Sequence, residues 1–555
     1  MDTGRLVISV KLVETHIDEN LYDRFVKILF EDIRLTSNAE EYVSPYVFPV
    51  ENIEKIANSD NNEYKENIRT MVDNLWTQGS WLHCVIVCYI LMHITSFLPT
   101  DFYKLSYSLA KLNHKEIAQE FIKIYEKLSV NPKVTNHAMA NFYYTVMEQP
   151  LEAINYYEKY FKIDSENPLI WLTYGHCLSG VSDDEAQKKQ LNAYLRAYEL
   201  KPYDATIVKS LLTYYEKNHN EKEVKELYPK LLELAPTPRH SLNYGLYLMS
   251  WGELKKGSEY FIERYNLDNY PIGYPKSDLS AEKKWDYKSD ISDKILLIHY
   301  EEGFGDSIMY SRFIPLIKQF TKKTVLVVQP QLVNLFKQSA ILSDDVEILS
   351  NVTEFLSKYK NEDYVHMPLM DLPYPLGIES DFIPYSEGYL KAARPDKYDT
   401  DCFKIGLAYS GDIASNYNGR DIKLSEFYDI ARNKKVQMYS LQVGEASNQL
   451  KNLPDDVSII DLGKGFKDFT DTANAIMGMD LIISTDNVIL NLSGALGKKT
   501  CAIFNKYPNY RWFNLSGENV VWYDSVKPFQ TEVQDDYTSV IKDIKDYIEK
   551  EIKNG

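Results

Sequence analysis

Cysteine is scarce in this chain and poorly placed for a structural role. Its five copies, Cys84, Cys88, Cys177, Cys402 and Cys501, are odd in number and form no CxxC. A disulfide framework or zinc knuckle is therefore not expected, and a reducing, cytoplasmic setting is. Histidine is missing after His366, so imidazole chemistry is excluded from the C-terminal part of the chain. Positive charge is in deficit: 62 Lys and Arg stand against 80 Asp and Glu, a formal net charge of −18. That argues against a nucleic-acid binder, whose affinity rests on neutralising phosphates, but leaves room for one cationic nucleotide pocket. The opening residues, MDTGRLVISVKLVETHIDEN, lack a secretory pattern, because Lys11 and Glu14 interrupt the apolar run. With 44% hydrophobic and 26% charged residues, wholesale disorder is excluded.

Long apolar runs are almost absent as well. The exception is 78–100, where no Asp, Glu, Lys or Arg occurs. That is long enough to span a bilayer. A helix buried inside a helical stack also reads apolar all round, and the polar residues within the run favour the buried reading over the membrane one.

What is present is modular, and the length of 555 residues suits three or four domains. Residues 1–100 read as a mostly helical region. From 101 a repeat emerges, marked by Pro132, Pro168, Pro202 and Pro236 at separations of 36, 34 and 34 residues. Small residues such as Ala153, Ala193 and Ala197 recur before these prolines, and Trp171, Tyr174 and Gly175 follow Pro168. This resembles the tetratricopeptide repeat, a 34-residue helix–turn–helix unit, over 101–270. Stacked repeats form a solenoid with a concave surface suited to an extended peptide; as an alternative they serve as a spacer or a homo-oligomerisation device.

A Pro/Gly/charged linker at 271–293 separates the repeats from a different pattern. Strands are expected at 294–299, 324–328, 346–349 and 364–367. After a second linker they are expected at 404–409, 437–441, 458–461, 481–484, 501–504 and 520–522. Helical stretches between them, such as 306–320 and 330–338, imply two doubly wound parallel sheets, at 294–395 and 402–530. A charged terminal helix within 531–555 is expected to pack across the two.

Four segments of this half carry candidate chemistry. In HYEEGFGDSIMYSRFIPLI (299–317), Gly303 and Gly305 permit a tight turn and Asp306 opens a helix, either as a cap or as a catalytic carboxylate. The missing third glycine rules out a dinucleotide fingerprint. GLAYSGDIASNYNGRDIKLSEF (406–427) places Ser410 and Arg420 in a polar loop after a strand, and YSLQVGE (439–445) ends a strand at Gln442. In LIISTDNVILNLSGALGKKT (481–500), a strand stops at Thr485-Asp486-Asn487 and a helix starts. The free amides of that helix start suit a phosphate, or merely make a well-capped connection. In an open parallel sheet, ligands bind beyond the carboxyl ends of the strands.

Taken in order, these segments resemble the tetratricopeptide-repeat glycosyltransferases whose catalytic half belongs with the heptosyltransferases, glycosyltransferase family 9. The family pattern E-Q-G-x-G-D-x5-R-[YF]-x-P-L is matched by EEGFGDSIMYSRFIPL, and G-x-x-[WY]-x-G…R by Gly406, Tyr409, Gly411 and Arg420. S-L-Q is matched by Ser440, Leu441 and Gln442, S-x-D-T-x3-H-L-A-G-A-L-G by STDNVILNLSGALG, and D-W-R-W by Asn509, Tyr510, Arg511 and Trp512. Asn491 stands where the family has histidine, and Asn487 where it has threonine.

The resemblance implies a GT-B fold, with the acceptor on the first sheet and a nucleotide sugar on the second, and inversion without a metal or other cofactor. Asp306 would be the catalytic base. Gly305, Ser410, Arg420, Gln442, Thr485, Asp486, Asn487, Asn491 and Lys498 would surround the donor. Arg312 is either an acceptor contact or a sheet-packing ion pair, and Arg511 and Trp512 shape the wall. Asp371 and Asp381 read as loop residues. A protein or peptide hydroxyl recruited by the repeats is the expected acceptor. The rivals are a non-catalytic scaffold and a glycolipid or polysaccharide transferase.

Overall fold

The computed structural model describes residues 17–29, 62–268, 279–395, 398, 400–411 and 420–554. The possible element at 6–13 and residues 271–278 of the linker lie outside them. The chain divides into two compact units, 1–235 and 236–555.

The first unit is a succession of antiparallel helix pairs: Pro99–Lys111 with Lys115–Leu128, Pro132–Phe142 with Pro150–Phe161, Pro168–Leu178 with Asp184–Leu200, and Ala205–Lys217 with Glu221–Leu234. The sequence explains the helix starts. Asn131 and Asn167 each accept a backbone N–H through their side chain, with Pro132 and Pro168 at the first helical position, where a missing N–H is harmless. It also explains the pairing. A Cβ on Gly175 would lie 2.4 Å from the ring of Tyr194, so only glycine lets the partner helices close.

The expected boundary at 101 is absent from the structure. Helices Asn62–Thr77 and Trp81–Ile94 share one apolar core with the repeats. The 78–100 run becomes the 14-residue helix Trp81–Ile94, buried on nearly every side. Among the described residues no helix is long and apolar enough to cross a membrane. At the other end, the pair Pro238–Ser250 and Leu254–Phe261 belongs to the second unit, where Met249, Leu254 and Phe261 join the core of the sheets.

The second unit carries two wholly parallel sheets. The first has four strands, β1 (Ile295–His299), β2 (Lys323–Val327), β3 (Val346–Leu349) and β4 (Tyr364–Pro368), in the order β3-β2-β1-β4. The second has β5 (Phe403–Ala408), β6 (Val436–Ser440), β7 (Ile459–Asp461), β8 (Leu481–Thr485), β9 (Thr500–Phe504) and β10 (Val526–Gln530), in the order β10-β9-β8-β5-β6-β7. The central strands β1 and β8 are buried at all five positions, as expected for sheets covered on both faces.

Three expectations are corrected. The strand expected at 520–522 is only a bridge between Val520 and Tyr523, and the tenth strand is β10. Pro528 lies within β10, an edge strand, where a missing N–H is tolerated. The helix expected over 306–320 breaks after Ser311 and resumes as the short turn Ile314–Ile317, with Pro315 inside it. The terminal helix Thr538–Asn554 lies on the outer face of the second sheet, where Val540, Ile544 and Ile548 meet Ile405, Leu407 and Ile503, rather than across the two sheets.

One continuous core joins the sheets. It runs from Leu296, Ile308 and Met309 to Ile482, Leu490 and Tyr523, and its centre is the contact between helices Phe304–Ser311 and Val488–Ala495.

Candidate functional site

That helix contact brings the carboxyl ends of β1 and β8 together. Beyond β1 the turn 300–303 leads into helix Phe304–Ser311, and Gln329 holds the turn closed. Its amide donates to the Glu302 carbonyl at 3.0 Å and accepts from Ser307 Oγ at 2.8 Å. Asp306 therefore projects from a fixed first helical turn. A Cβ on Gly305 would stand 3.0 Å from Asn491 Nδ2 and 3.8 Å from the Val488 Cα. Glycine here permits close approach to the opposing helix start.

On the second sheet, β8 ends at Thr485, and Asp486 and Asn487 make the turn after it. Asn487 caps helix Val488–Ala495: its Oδ1 accepts the Ile489 N–H at 2.8 Å and the Ser484 hydroxyl at 3.1 Å, and its Nδ2 donates to Thr485 Oγ1 at 3.1 Å. The Asn491 amide is also engaged, accepting from the Tyr523 hydroxyl at 3.1 Å and donating to the Asn487 carbonyl at 3.5 Å. Asp486 lies 3.5 Å from Arg420 Nε. Burial pushes the Asp486 carboxyl up, while Arg420, Trp512 and Arg511 pull it down and Asp306 pushes it further. The charge of Asp306 thus reaches Asp486 across the junction.

Arg511 occupies that junction. Its Nη2 lies 2.5 Å from Asp306 Oδ1, with both side chains about 15% exposed. Its Nη1 donates to Asn509 Oδ1 at 2.7 Å, and the guanidinium lies 4.6 Å from the Tyr510 ring centre. Its Nε is buried without a hydrogen-bond partner among the described residues.

Ser410 and Gln442 sit beyond β5 and β6 and are committed to the chain itself. Gln442 accepts from the N–H groups of Tyr409 and Ser410 at 3.2 and 3.1 Å and donates to the Ser410 carbonyl at 3.2 Å. The Ser410 hydroxyl and the Gly411 N–H both donate to Asp421 Oδ1, at 2.7 and 3.0 Å. Asp421 therefore ties the two ends of the polar loop, a role that sequence reasoning missed.

Two expected site residues fall elsewhere. Lys498 follows the far end of helix Val488–Ala495, with Asp480, Arg394 and Lys404 as its charged neighbours. Lys404 is the second residue of β5 and Asp480 immediately precedes β8, so both lie at the amino ends of these strands. The helix runs back against its strand, so a residue beyond its end reaches the edge opposite the site. Arg312 is fully buried, donates to the Met309 and Trp522 carbonyls at 3.0 and 2.6 Å, and lies over the rings of Tyr523 and Tyr389. It packs the junction, and no acceptor reaches it.

Asp371 is no loop residue. It is 1% exposed and pairs with Arg264 Nη1 at 2.5 Å, while Glu301 holds the same guanidinium through contacts of 2.5 and 3.1 Å. Burial pushes the Glu301 carboxyl up, against the pull of Arg264. The network anchors the segment before the first sheet to the carboxyl ends of β1 and β4. No local pattern announces it, because Arg264 sits in an unremarkable helical stretch.

The arrangement offers one carboxylate from the first sheet, two arginines and a capped helix start from the second. These groups suit a polyanion held opposite a base.

No family model matches the chain, and no curated protein matches it. Among solved structures, MamA 41-end from Desulfovibrio magneticus RS-1 is similar at 18% identity over 31% of this chain and 94% of its own, with a TM-score of 0.27. YrrB, described as a TPR protein with an unusual peptide-binding site, is similar at 14% identity over 33% of this chain and 93% of its own, also with a TM-score of 0.27.

Proposed function

We propose that the second unit is a metal-independent, inverting glycosyltransferase of GT-B type, and that the helical repeats recruit a protein acceptor. The observation that carries this reading is the meeting of the helix start that carries Asp306, beyond β1, with the turn and helix start that follow β8. Residues distant in the chain converge there at the carboxyl edges of both sheets, where ligands of such sheets bind.

In the reaction, an acceptor hydroxyl gives its proton to the Asp306 carboxylate as its oxygen bonds to the anomeric carbon. The bond from that carbon to the diphosphate oxygen breaks, and the nucleoside diphosphate departs with the electron pair. Backbone amides at the start of helix Val488–Ala495 and the Arg420 guanidinium are suited to stabilise the growing phosphate charge. Asp306 is suited to general-base work only once it is released from Arg511.

Incubation with UDP-, GDP- and ADP-sugars, followed by nucleotide release, tests the assignment. Asp306→Asn is expected to lower turnover by roughly 10²–10⁴-fold. Unchanged turnover removes Asp306 as base.

A second reading is favoured by the engagement of Asp306 with Arg511 and of the Asn491 amide with Tyr523: a transferase-like half retained as a scaffold. A scaffold would show no nucleotide-dependent thermal stabilisation, whereas a donor site filled at 100 times its Kd gives about 2.7 kcal/mol.

A further inference from the structure

Arg511 holds two incompatible positions in this site. It neutralises the carboxylate that the transferase reading needs as a base, and it stands beside the helix start that the same reading assigns to the donor diphosphate. Its Nη2 is committed to Asp306 at 2.5 Å and its Nη1 to Asn509 at 2.7 Å. Its Nε is buried with no hydrogen-bond partner among the described residues. A guanidinium presents donors in a planar fork matched to carboxylate and phosphate alike. A buried guanidinium with one unsatisfied N–H beside a helix start has a reason to accept a second anion. Asp486 lies near enough to act on Arg511 electrostatically. Its charge is already faced by Arg420, so the guanidinium of Arg511 is the one divided between the two sheets.

We infer that Arg511 is a diphosphate-binding residue that exchanges partners. In the empty site it pairs with Asp306. When a nucleoside diphosphate group enters at the start of helix Val488–Ala495, Arg511 turns its fork to the phosphates and frees the Asp306 carboxylate to accept a proton. Donor binding thereby switches on the base, and the acceptor binds productively second. No covalent step is involved, only the exchange of one ion pair for another. The inference rests on the transferase reading but is separable from it.

Titration calorimetry of the full chain with UDP, GDP, ADP and inorganic pyrophosphate separates them. Because Asp306 competes with the diphosphate for one guanidinium, Asp306→Asn and Asp306→Ala are each expected to tighten diphosphate binding, by about tenfold or more. A merely structural ion pair would not produce that gain. Arg511→Gln is expected to weaken binding by at least about tenfold, with partial recovery in Arg511→Lys, which keeps the charge but loses the fork. If Arg511→Gln fails to fold, the two Asp306 variants still decide the matter.

Wild-type binding that Asp306 substitution leaves unchanged or weakens overturns the partner exchange and leaves the transferase reading standing. So does binding that a folded Arg511→Gln retains in full. Absence of binding by wild type and by both Asp306 variants overturns the transferase reading itself.

Discussion

Gly494 provides the sharpest stability test, because two opposing effects of known size meet there. It lies inside helix Val488–Ala495, where replacing glycine by alanine normally stabilises a helix by about 0.5–1 kcal/mol. Here the new methyl would sit 2.3 Å from Tyr523 Cγ and 2.6 Å from both Cδ atoms. Ordinary carbon–carbon contact begins near ~3.5 Å, so the ring would have to retreat by about 1 Å. Tyr523 has nowhere to go. It is fully buried, its hydroxyl donates to Asn491, and its face carries the Arg312 guanidinium at 4.5 Å.

Overpacking of this kind costs about 1–3 kcal/mol, and more where the neighbours are rigid. We therefore expect Gly494→Ala to be net destabilising by roughly 2 kcal/mol after the helix gain is deducted. For a unit of this size that lowers Tm by roughly 3 °C. Calorimetry resolving the transition of the second unit is the assay. In Gly494→Ala/Tyr523→Leu, which removes the ring the methyl strikes, the penalty of the alanine should shrink, giving a favourable coupling energy. A Gly494→Ala protein as stable as wild type, or more so, would refute the close packing of Tyr523 on this helix.

Arg264→Met should destabilise the second unit by about 3–5 kcal/mol, because Glu301 and Asp371 are left buried without their cation. The loss should be smaller at pH 5 than at pH 8, since burial already favours the protonated form of Glu301; a pH-independent loss in thermal melts would contradict this. Glu347, on β3, receives hydrogen bonds from Lys358 and the Tyr359 hydroxyl at 2.6 Å and from Lys323 at 2.9 Å. Burial alone would raise its carboxyl, but these contacts prevail and hold it at about 2, against an ordinary value of 4.5. Its contribution is therefore present above pH 4.5 and lost as pH falls through about 2. Glu347→Gln should lower stability at pH 7 by about 1–2 kcal/mol, allowing for the exposed lysines, and the difference from wild type should vanish near pH 2. Gly175→Ala, whose methyl would meet the Tyr194 ring at 2.4 Å, should lower the melting transition of the helical unit by several degrees and leave that of the second unit in place.

By itself, the sequence determined what depends on short range. Proline after a capping residue marks helix starts at Pro132 and Pro168, and nine of the ten strands follow from runs of β-branched and aliphatic residues. The turn at Thr485–Asn487 is likewise readable, since a strand, a polar cap and a helix occupy consecutive residues. β10 escaped because Pro528 is penalised everywhere except at an edge, and which strand forms an edge is a property of the whole sheet. Only the tertiary structure could place Lys498, because helix direction sends it to the opposite edge from a turn that is close to it in the chain. Burial of Arg312 among Tyr389, Trp522 and Tyr523, and the Arg264 network, also required the fold. The same holds for the pairing of Asp306 with Arg511. Periodicity reports which face of an element is apolar, but which charges meet across two sheets is set by how their helices pack, and here that depends on a glycine at 305 small enough to let them touch.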